Sequence, residues 1–170
     1  VLDQFVDTLA VIHHISSGKT KVIIAPHDAH SLRGTNSAPC DVYCEALKGA
    51  FLDFYSLLSI IRSVYKNQLT TMFNEYCSKN FYGASWSTLN QVIFGVDLQN
   101  EPWFGVWPIV AWEKWLCDIA THLKNDVGLR KNNIAVITGM LSGANGPKGT
   151  ENFPDSAIDC PTVDVISIHG

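Results

Sequence analysis

The chain has 170 residues, of which 46% are hydrophobic and 16% are charged, and its formal net charge is −4. This composition is typical of a globular domain with a sizeable core, and it excludes a disordered chain. The acidic balance gives no basic surface for nucleic acid. No apolar stretch approaches the roughly 18 residues that a transmembrane helix needs. We therefore expect neither nucleic acid nor a membrane as a partner.

The first half of the chain predicts a helix, a strand and a longer helix. Residues 2–16 place apolar side chains on one helical face, and Gly18 ends this helix. Residues 21–26 (KVIIAP) form a β-branched run that predicts a buried strand, and the sequence HDAH (27–30) follows it directly. An irregular polar segment extends to about residue 50. Residues 57–76 then show the apolar periodicity of a long helix.

The second half repeats this alternation. Residues 92–99 (VIFGVDLQ) predict a second buried strand, and Pro108 suits the first turn of a helix whose buried face extends to residue 123. Residues 133–140 (NIAVITGM) predict a third strand, residues 141–161 are mostly loop, and residues 162–169 (TVDVISIH) predict a fourth strand. Strands that alternate with helices indicate right-handed βαβ units, so the sequence predicts an α/β domain with a parallel sheet.

A carboxylate is predicted at the end of the second strand. The apolar run stops at Asn100-Glu101-Pro102, because Pro102 has no N–H to donate and biases its predecessor away from the helical region. Parallel α/β folds build their active sites at the carboxyl ends of strands. Glu101 is therefore the candidate catalytic residue, with Asn100 beside it. The alternative is that Glu101 caps the helix that follows; its place directly after a buried strand favours the catalytic interpretation.

Three polar side chains follow three different predicted strands. His27, Glu101 and His169 each come directly after a strand-like run. Parallel strands bring such ends to one face of the sheet, so we expect the three residues to converge on a shared site. A nucleotide site on a doubly wound sheet is disfavoured, because no Gly-x-Gly-x-x-Gly follows any of the strands.

The five cysteines indicate an oxidising compartment. Cys117 lies within an apolar helical pattern, which predicts a buried thiol, whereas Cys40, Cys44, Cys77 and Cys160 lie in or beside loops, as disulfide cysteines of secreted proteins do. The odd count requires at least one free thiol or a partner outside the chain. Cys40 and Cys44 have neither a second close pair nor a histidine at zinc-finger spacing, so we expect no metal site.

The strand-like runs carry a resemblance to a known family. The motifs VIIAPHDAH (22–30), VIFGVDLQNEPW (92–103) and VDVISIHG (163–170) resemble the third, fourth and sixth barrel strands of glycoside hydrolase family 5. This is the cellulase and mannanase family of clan A, and the resemblance is to its fungal cellulase-like members. It covers nearly the whole chain and implies part of a (β/α)8 TIM barrel, about strands 3 to 6 with their helices, over residues 1–170.

The resemblance also implies an activity and a set of roles. The expected reaction is retaining hydrolysis of β-linked polysaccharide, glucan or mannan, by a secreted enzyme without a cofactor. Glu101 would be the general acid and base, and Asn100 would hydrogen-bond the sugar 2-hydroxyl. Further substrate contacts are expected from His27, His30, His169, Trp103 and Trp107. Each has a structural alternative, since strand-end histidines often only satisfy the fold and tryptophans can pack on the next helix.

The match to the family is incomplete. A closed barrel uses eight strands and roughly 250 residues, whereas four strands are predicted here, and the family's nucleophilic glutamate falls on none of them. The chain opens at a helix, without an initiator methionine or a signal peptide. We therefore expect a fragment that is inactive by itself. The missing barrel half or a second copy of the chain would cover its open sheet.

Two classes of function remain open from the sequence. One is the retaining glycoside hydrolase, and the other is a non-catalytic, lectin-like carbohydrate-binding protein on a truncated or degenerate barrel. Fold alone does not separate them. The discriminating feature is a second glutamate at the end of a later strand in the full-length gene product.

Overall fold

A computed structural model describes residues 2–34, 36, 38–56, 59–102, 114–139, 141–142 and 158–169. The predicted first helix is α1 (Leu2–Ile15), which buries Val6 and Leu9. It ends where Ser17 and Gly18 take left-handed backbone conformations, with φ of 51° and 74°. Glycine adopts this conformation without a Cβ penalty, and the Gly18 N–H donates to His13 O at 2.9 Å.

Three further α-helices follow, and two of them continue into a π-type turn. They are α2 (Val42–Leu47), α3 (Ile60–Thr70) and α4 (Trp115–Thr121). The turn Thr71–Glu75 extends α3, and the turn His122–Asp126 extends α4. The long helix predicted over 57–76 is thus confirmed from Ile60 onward. Of the helix predicted after Pro108, the described part begins at Trp115. No described helix is both long and apolar enough to cross a bilayer.

Short strands also occur among the described residues. β1 is Val22–Ile24, β2 (Cys77–Ser78) and β3 (Ala84–Ser85) form an antiparallel hairpin, β4 is Ile93–Asp97 and β5 is Ala135–Ile137. The strands β1, β4 and β5 form a parallel sheet in that order, with β4 in the middle. The predicted α/β class with a parallel sheet is therefore confirmed, and the closure of this sheet into a barrel stays a prediction.

The fourth predicted strand is not regular. Residues 162–169 touch β5 through a parallel bridge between Ile137 and Val165, while Ile168–His169 (β7) pairs with Leu141–Ser142 (β6). Two side chains replace backbone partners along this segment. The Asp164 carboxylate accepts from Val136 N at 2.7 Å, and the Thr138 hydroxyl oxygen accepts from Ser167 N at 3.0 Å. Backbone hydrogen bonds also join the segment to β5, since Asp164 N donates to Val136 O and Thr138 N donates to Val165 O. The predicted fourth strand is therefore present in part, beside β5 at Val165 and as β7, and its extent as a regular strand over 162–169 is wrong.

An aromatic cluster from α3, α4 and the turn Phe51–Tyr55 forms part of the core. Phe54, Tyr55, Tyr65 and Trp115 are fully buried, and their ring centroids lie between 5.0 and 6.2 Å apart. Each buried ring contributes about 1.5–3 kcal/mol, and each such pair adds about 0.5–1.5 kcal/mol. The Tyr65 hydroxyl donates to Leu98 O at 2.6 Å, which attaches the cluster to the end of β4.

Two disulfides link loops to helices. Cys40 pairs with Cys44 at the start of α2, and Cys117 in α4 pairs with Cys160. The prediction of a buried thiol at Cys117 is therefore wrong: its helical position lies beside the loop that carries Cys160, with a Cα–Cα distance of 5.6 Å. Cys77 is an exposed free cysteine, as the odd count allows.

Candidate active site

The ends of β1 and β4 meet through backbone hydrogen bonds. The Asn100 N–H donates to His27 O at 2.8 Å, and the Ala29 N–H donates to Asn100 O at 2.9 Å. Asp28 and Asn100 form a parallel bridge beyond the last regular residue of each strand. The sequences HDAH and Asn-Glu-Pro are thereby joined at one edge of the sheet, as the order of the strands predicts.

Glu101 has an unusual backbone conformation. Its φ is 47°, in the left-handed region, and its N–H donates to Gly139 O at 2.7 Å. For a residue other than glycine this region costs about 1–2 kcal/mol. Such strained backbones are concentrated at functional sites, where the surrounding structure enforces them.

Gly139, just after β5, supplies that surrounding structure. Its φ is 97°, and a Cβ at this position would lie 1.7 Å from Gln99 O. No side chain fits there, so only glycine lets β5 approach the segment after β4 closely enough to accept from Glu101. All three strands of the sheet thus take part in holding Glu101.

The Glu101 side chain belongs to an exposed hydrogen-bonded row. Its Oε2 lies 3.3 Å from Nε2 of His30, and Nδ1 of His30 lies 3.0 Å from Oδ1 of Asp28. The side chains of Glu101, His30 and Asp28 are 28%, 35% and 42% exposed. We call Asp28, His30 and Glu101 the outer row. Its members are within reach of a ligand in solvent.

Asp28 is the most constrained carboxylate of the outer row. It caps the turn Ala29–Leu32 by accepting from His30 N at 3.0 Å. Partial burial works to raise its pKa, but hydrogen bonds from the His30 backbone, the His30 ring and the Asn100 side chain outweigh burial, and the net pKa is lowered. Asp28 is therefore ionised at neutral pH and orients both His30 and Asn100.

His27 belongs to a second row that runs beneath the surface. Its Nε2 lies 2.5 Å from Oδ2 of Asp41, and its Nδ1 accepts from Nε2 of Gln99 at 2.7 Å. Oε1 of Gln99 accepts from the Tyr55 hydroxyl at 2.7 Å. We call Tyr55, Gln99, His27 and Asp41 the inner row. The row ends at the first turn of α2, where Oδ1 of Asp41 accepts from Tyr43 N and Cys44 N.

Burial decides the protonation of His27. Its side chain is 7% exposed, and desolvation lowers its pKa in spite of the opposing charges of Asp41 and Asp28. Because the Asp41 carboxylate can only accept, Nε2 of His27 carries the proton, and Nδ1 of the neutral ring accepts from the Gln99 amide. The contact with Asp41 is therefore a hydrogen bond from a neutral imidazole rather than an ion pair.

Aromatic rings enclose the His27 imidazole. It stacks on Phe54 at a centroid distance of 5.3 Å and meets Tyr43 and Tyr65 edge-on at 5.4 and 5.8 Å. The described contacts thus engage both of its nitrogens and its ring faces. This arrangement suits a residue that supports the strand ends from below.

The structure brings together four of the seven candidate residues, namely His27, His30, Asn100 and Glu101. Trp103 and Trp107 lie outside the described residues. The backbone of His169 pairs with that of Ser142, and its side chain also lies outside the described part of the chain. The substrate contacts assigned to these three residues stay predictions.

The sequence interpretation missed four residues that build the site: Asp28, Asp41, Gln99 and Gly139. Asp28 and Gln99 each had a signal, since they directly adjoin the candidate residues His27 and Asn100. Asp41 shows only the pattern of a helix cap. Gly139 at the end of a predicted strand indicates a close backbone approach. Nothing in the spacing links either residue to Glu101.

Two further findings bound the chemistry. Among the described residues, no group of three or more His, Cys, Asp or Glu side chains is placed to bind a metal ion. No protein-family model, no curated protein and no solved structure matches the chain. The site itself presents a partly exposed carboxyl, an oriented imidazole and an oriented amide at the carboxyl edge of a parallel sheet.

Proposed function

We propose that this chain carries the acid/base half of a retaining glycoside hydrolase acting on β-linked polysaccharide. The observation that carries the proposal is the place of Glu101. Its carboxyl is partly exposed at the carboxyl edge of the sheet, with its backbone held in the left-handed region between β1 and β5. General acid catalysis on a bulky sugar requires a carboxyl that the substrate reaches but that does not move freely.

The neighbours of Glu101 suit a ligand rich in hydroxyl groups. The Asn100 amide donates to Asp28, and this contact fixes the side chain beside Glu101. An amide held in this way can hydrogen-bond the sugar 2-hydroxyl, an interaction that strengthens in the transition state. His30, His169, Trp103 and Trp107 remain the proposed substrate contacts. His27 was expected to be one as well, but both of its nitrogens are engaged and its side chain is 7% exposed, so we propose that it supports the strand ends instead.

A retaining reaction also needs a nucleophile. The two carboxyl groups stand about 5–5.5 Å apart, one protonated and the other ionised. Asp28 is already engaged by His30 and Asn100. Because the family resemblance implies a nucleophilic glutamate on a strand later than the four recognised in this sequence, we propose that the nucleophile is not among these 170 residues. Glu101 protonates the leaving oxygen while the nucleophile attacks the anomeric carbon; it then takes a proton from the water that releases the sugar.

The two disulfides support secretion, since such bonds persist in oxidising compartments. An extracellular location agrees with polymeric substrates that do not enter cells. We propose this location together with the activity.

The test is Glu101→Gln in the full-length protein, assayed by release of reducing ends from unactivated β-glucan and β-mannan. Turnover should fall by a factor of about 10²–10⁴ or more, because the amide cannot donate the proton. The matched control is Glu75→Gln, an exposed glutamate in the turn after α3, and it should leave turnover unchanged.

Wild-type turnover in Glu101→Gln would exclude Glu101 as the acid. Binding of oligosaccharide without cleavage by the wild-type full-length protein would instead support the lectin-like alternative. Isothermal titration of β-linked oligosaccharides into wild type and Glu101→Gln separates these two outcomes.

A further inference from the structure

The outer row contains two residues with no assigned role in acid catalysis, Asp28 and the imidazole of His30 that it holds. Both lie beside Glu101, on the segment that follows β1. We propose that Asp28 and His30 are positioning residues for Glu101: Asp28 fixes the tautomer and orientation of His30, and His30 holds Oε2 of Glu101 through Nε2. The inference rests on the proposed function and assigns the residues that orient its acid.

The first step concerns the tautomer of His30. Asp28 is ionised and can only accept hydrogen bonds. Its Oδ1 lies 3.0 Å from Nδ1 of His30, so Nδ1 carries a proton. Nε2 is then the nitrogen that remains to interact with Glu101, at 3.3 Å from Oε2.

The second step concerns rigidity. The Asp28 carboxylate accepts from the backbone and from the ring of the same residue, His30, and from the Asn100 amide. The Ala29–Asn100 hydrogen bond joins the two backbones at the same place. The His30 imidazole is therefore held by the turn Ala29–Leu32 and by the segment after β4. Any rotation of the Asp28 side chain displaces the imidazole and so changes its contact with Glu101. An oriented second group of this kind preserves the geometry that the acid needs.

The third step separates His30 from His27. His27 uses Nδ1 for Gln99 and Nε2 for Asp41, and its side chain is only 7% exposed. His30 is 35% exposed and makes its contact with Glu101 directly. Of these two histidines, His30 is the one in contact with the acid.

The experiment measures the tautomer and the kinetics in the same full-length protein. With ¹⁵N-labelled histidine, at the pH at which the full-length protein turns over β-glucan, wild-type His30 should show a protonated Nδ1, because Oδ1 of Asp28 accepts from it. In Asp28→Ala the signal should shift toward the Nε2–H form that free imidazole side chains prefer. The same variant should lower kcat on β-glucan roughly 10- to 100-fold with KM within about twofold. Asp28→Asn should retain most of kcat, because its amide oxygen still accepts from Nδ1.

The control is another His–Asp contact through Nδ1, in a histidine whose Nε2 lies at Lys66 O and the Thr70 hydroxyl rather than at a carboxyl group. Nδ1 of His122 lies 2.9 Å from Oδ2 of Asp126, whose side chain is 69% exposed, on the turn after α4. Asp126→Ala should shift the His122 signal and leave the His30 signal and kcat unchanged. If Asp28→Ala does not fold, His30→Ala provides the kinetic measurement, since the Asp28 carboxylate still accepts from the backbone N–H of residue 30 and caps the turn.

A His30 signal or a kcat unaffected by Asp28→Ala would overturn the proposal. The NMR measurement also tests this positioning proposal separately from the proposed function. If Glu101→Gln left turnover intact while Asp28→Ala still shifted His30 and the Glu101 carboxyl ¹³C signal, the positioning contact would stand and the assignment of Glu101 as acid would fail.

Discussion

Two histidines three residues apart have opposite environments in this protein. His27 lies in the inner row, 7% exposed, among aromatic rings and with both nitrogens engaged. His30 lies in the outer row, 35% exposed, between the carboxylates of Asp28 and Glu101. Both follow the same strand, so proximity to the strand end does not separate them. Burial separates the two histidines: the enclosed His27 supports the strand ends, whereas the partly exposed His30 stays accessible beside Glu101.

The largest expected effect comes from substituting Gly139, because this glycine lets β5 approach the segment that carries Gln99 of the inner row and Glu101 of the outer row. Gly139→Ala would place a Cβ 1.7 Å from Gln99 O, which forces β5 away from the end of β4. We expect a loss of about 3–5 kcal/mol in the free energy of unfolding, or failure to fold. Urea unfolding followed by circular dichroism measures this loss.

The matched control for Gly139→Ala is Gly49→Ala. Gly49 also has a positive φ, 92°, but a Cβ there would meet no atom within 4 Å. Its substitution should cost only about 1–2 kcal/mol for the backbone conformation. Equal losses for the two variants would mean that the contact between Gly139 and Gln99 does not hold the site together.

The next largest effect distinguishes the two histidines directly. His27→Ala removes the partner of both Gln99 and Asp41 and leaves a gap against Phe54. We expect a loss of about 2–4 kcal/mol in the free energy of unfolding, since buried polar groups without partners and cavities are both costly. His30→Ala should cost less than about 1 kcal/mol, because the ring is partly exposed. Chemical denaturation of the two variants side by side is the measurement, and a larger loss for His30→Ala would reverse the assignment of the two rows.

The smallest expected effect is a dependence of stability on pH. Burial lowers the pKa of His27 from 6.5 in the folded protein, so the unfolded chain binds this proton first as the pH falls. Its contribution to stability is therefore present above about pH 6.5 and is lost between that pH and the lower pKa of the folded state. Asp28, whose pKa is lowered from 3.8, loses its contribution only in more acidic solution.

Urea unfolding between about pH 5 and pH 8 tests the contribution of His27. The wild-type protein should become more stable as the pH rises across this range, and His27→Gln should lose that part of the increase. An identical slope in the two proteins would show that His27 is not the buried neutral group described.

Much of the fold was predictable from local patterns. Apolar periodicity identified α1 and α3, and β-branched runs identified β1, β4 and β5. The fourth predicted strand is present only in part, because Asp164 and Thr138 also offer side-chain partners to backbone groups, and β-propensity does not include that competition. The prediction of a free, buried thiol at Cys117 was wrong for a different reason. A helical pattern describes only the helix itself, whereas the loop that carries Cys160 lies 43 residues away in the sequence.

The site was predictable in its location and not in its contacts. Glu101, Asn100 and His27 were identified as candidates because a proline-terminated apolar run and the alternation of elements place them at one edge of a parallel sheet. His30 was a candidate through the family resemblance. The roles of the two histidines were not separable, since each is a histidine after a strand. The decisive partner of His30 was its near neighbour Asp28, whose own hydrogen bonds depend on the geometry of a tight turn.

The sequence by itself determined the order of helices and strands and the edge at which polar groups collect, because periodicity and proline act on the chain locally. The tertiary structure alone decided which histidine is enclosed. His27 meets Asp41 from 14 residues away and Gln99 from 72 residues away, and both contacts depend on how α2 and β4 pack beside β1. The left-handed backbone of Glu101 was likewise decided by Gly139, because only the pairing of β5 with β4 brings that carbonyl to its N–H.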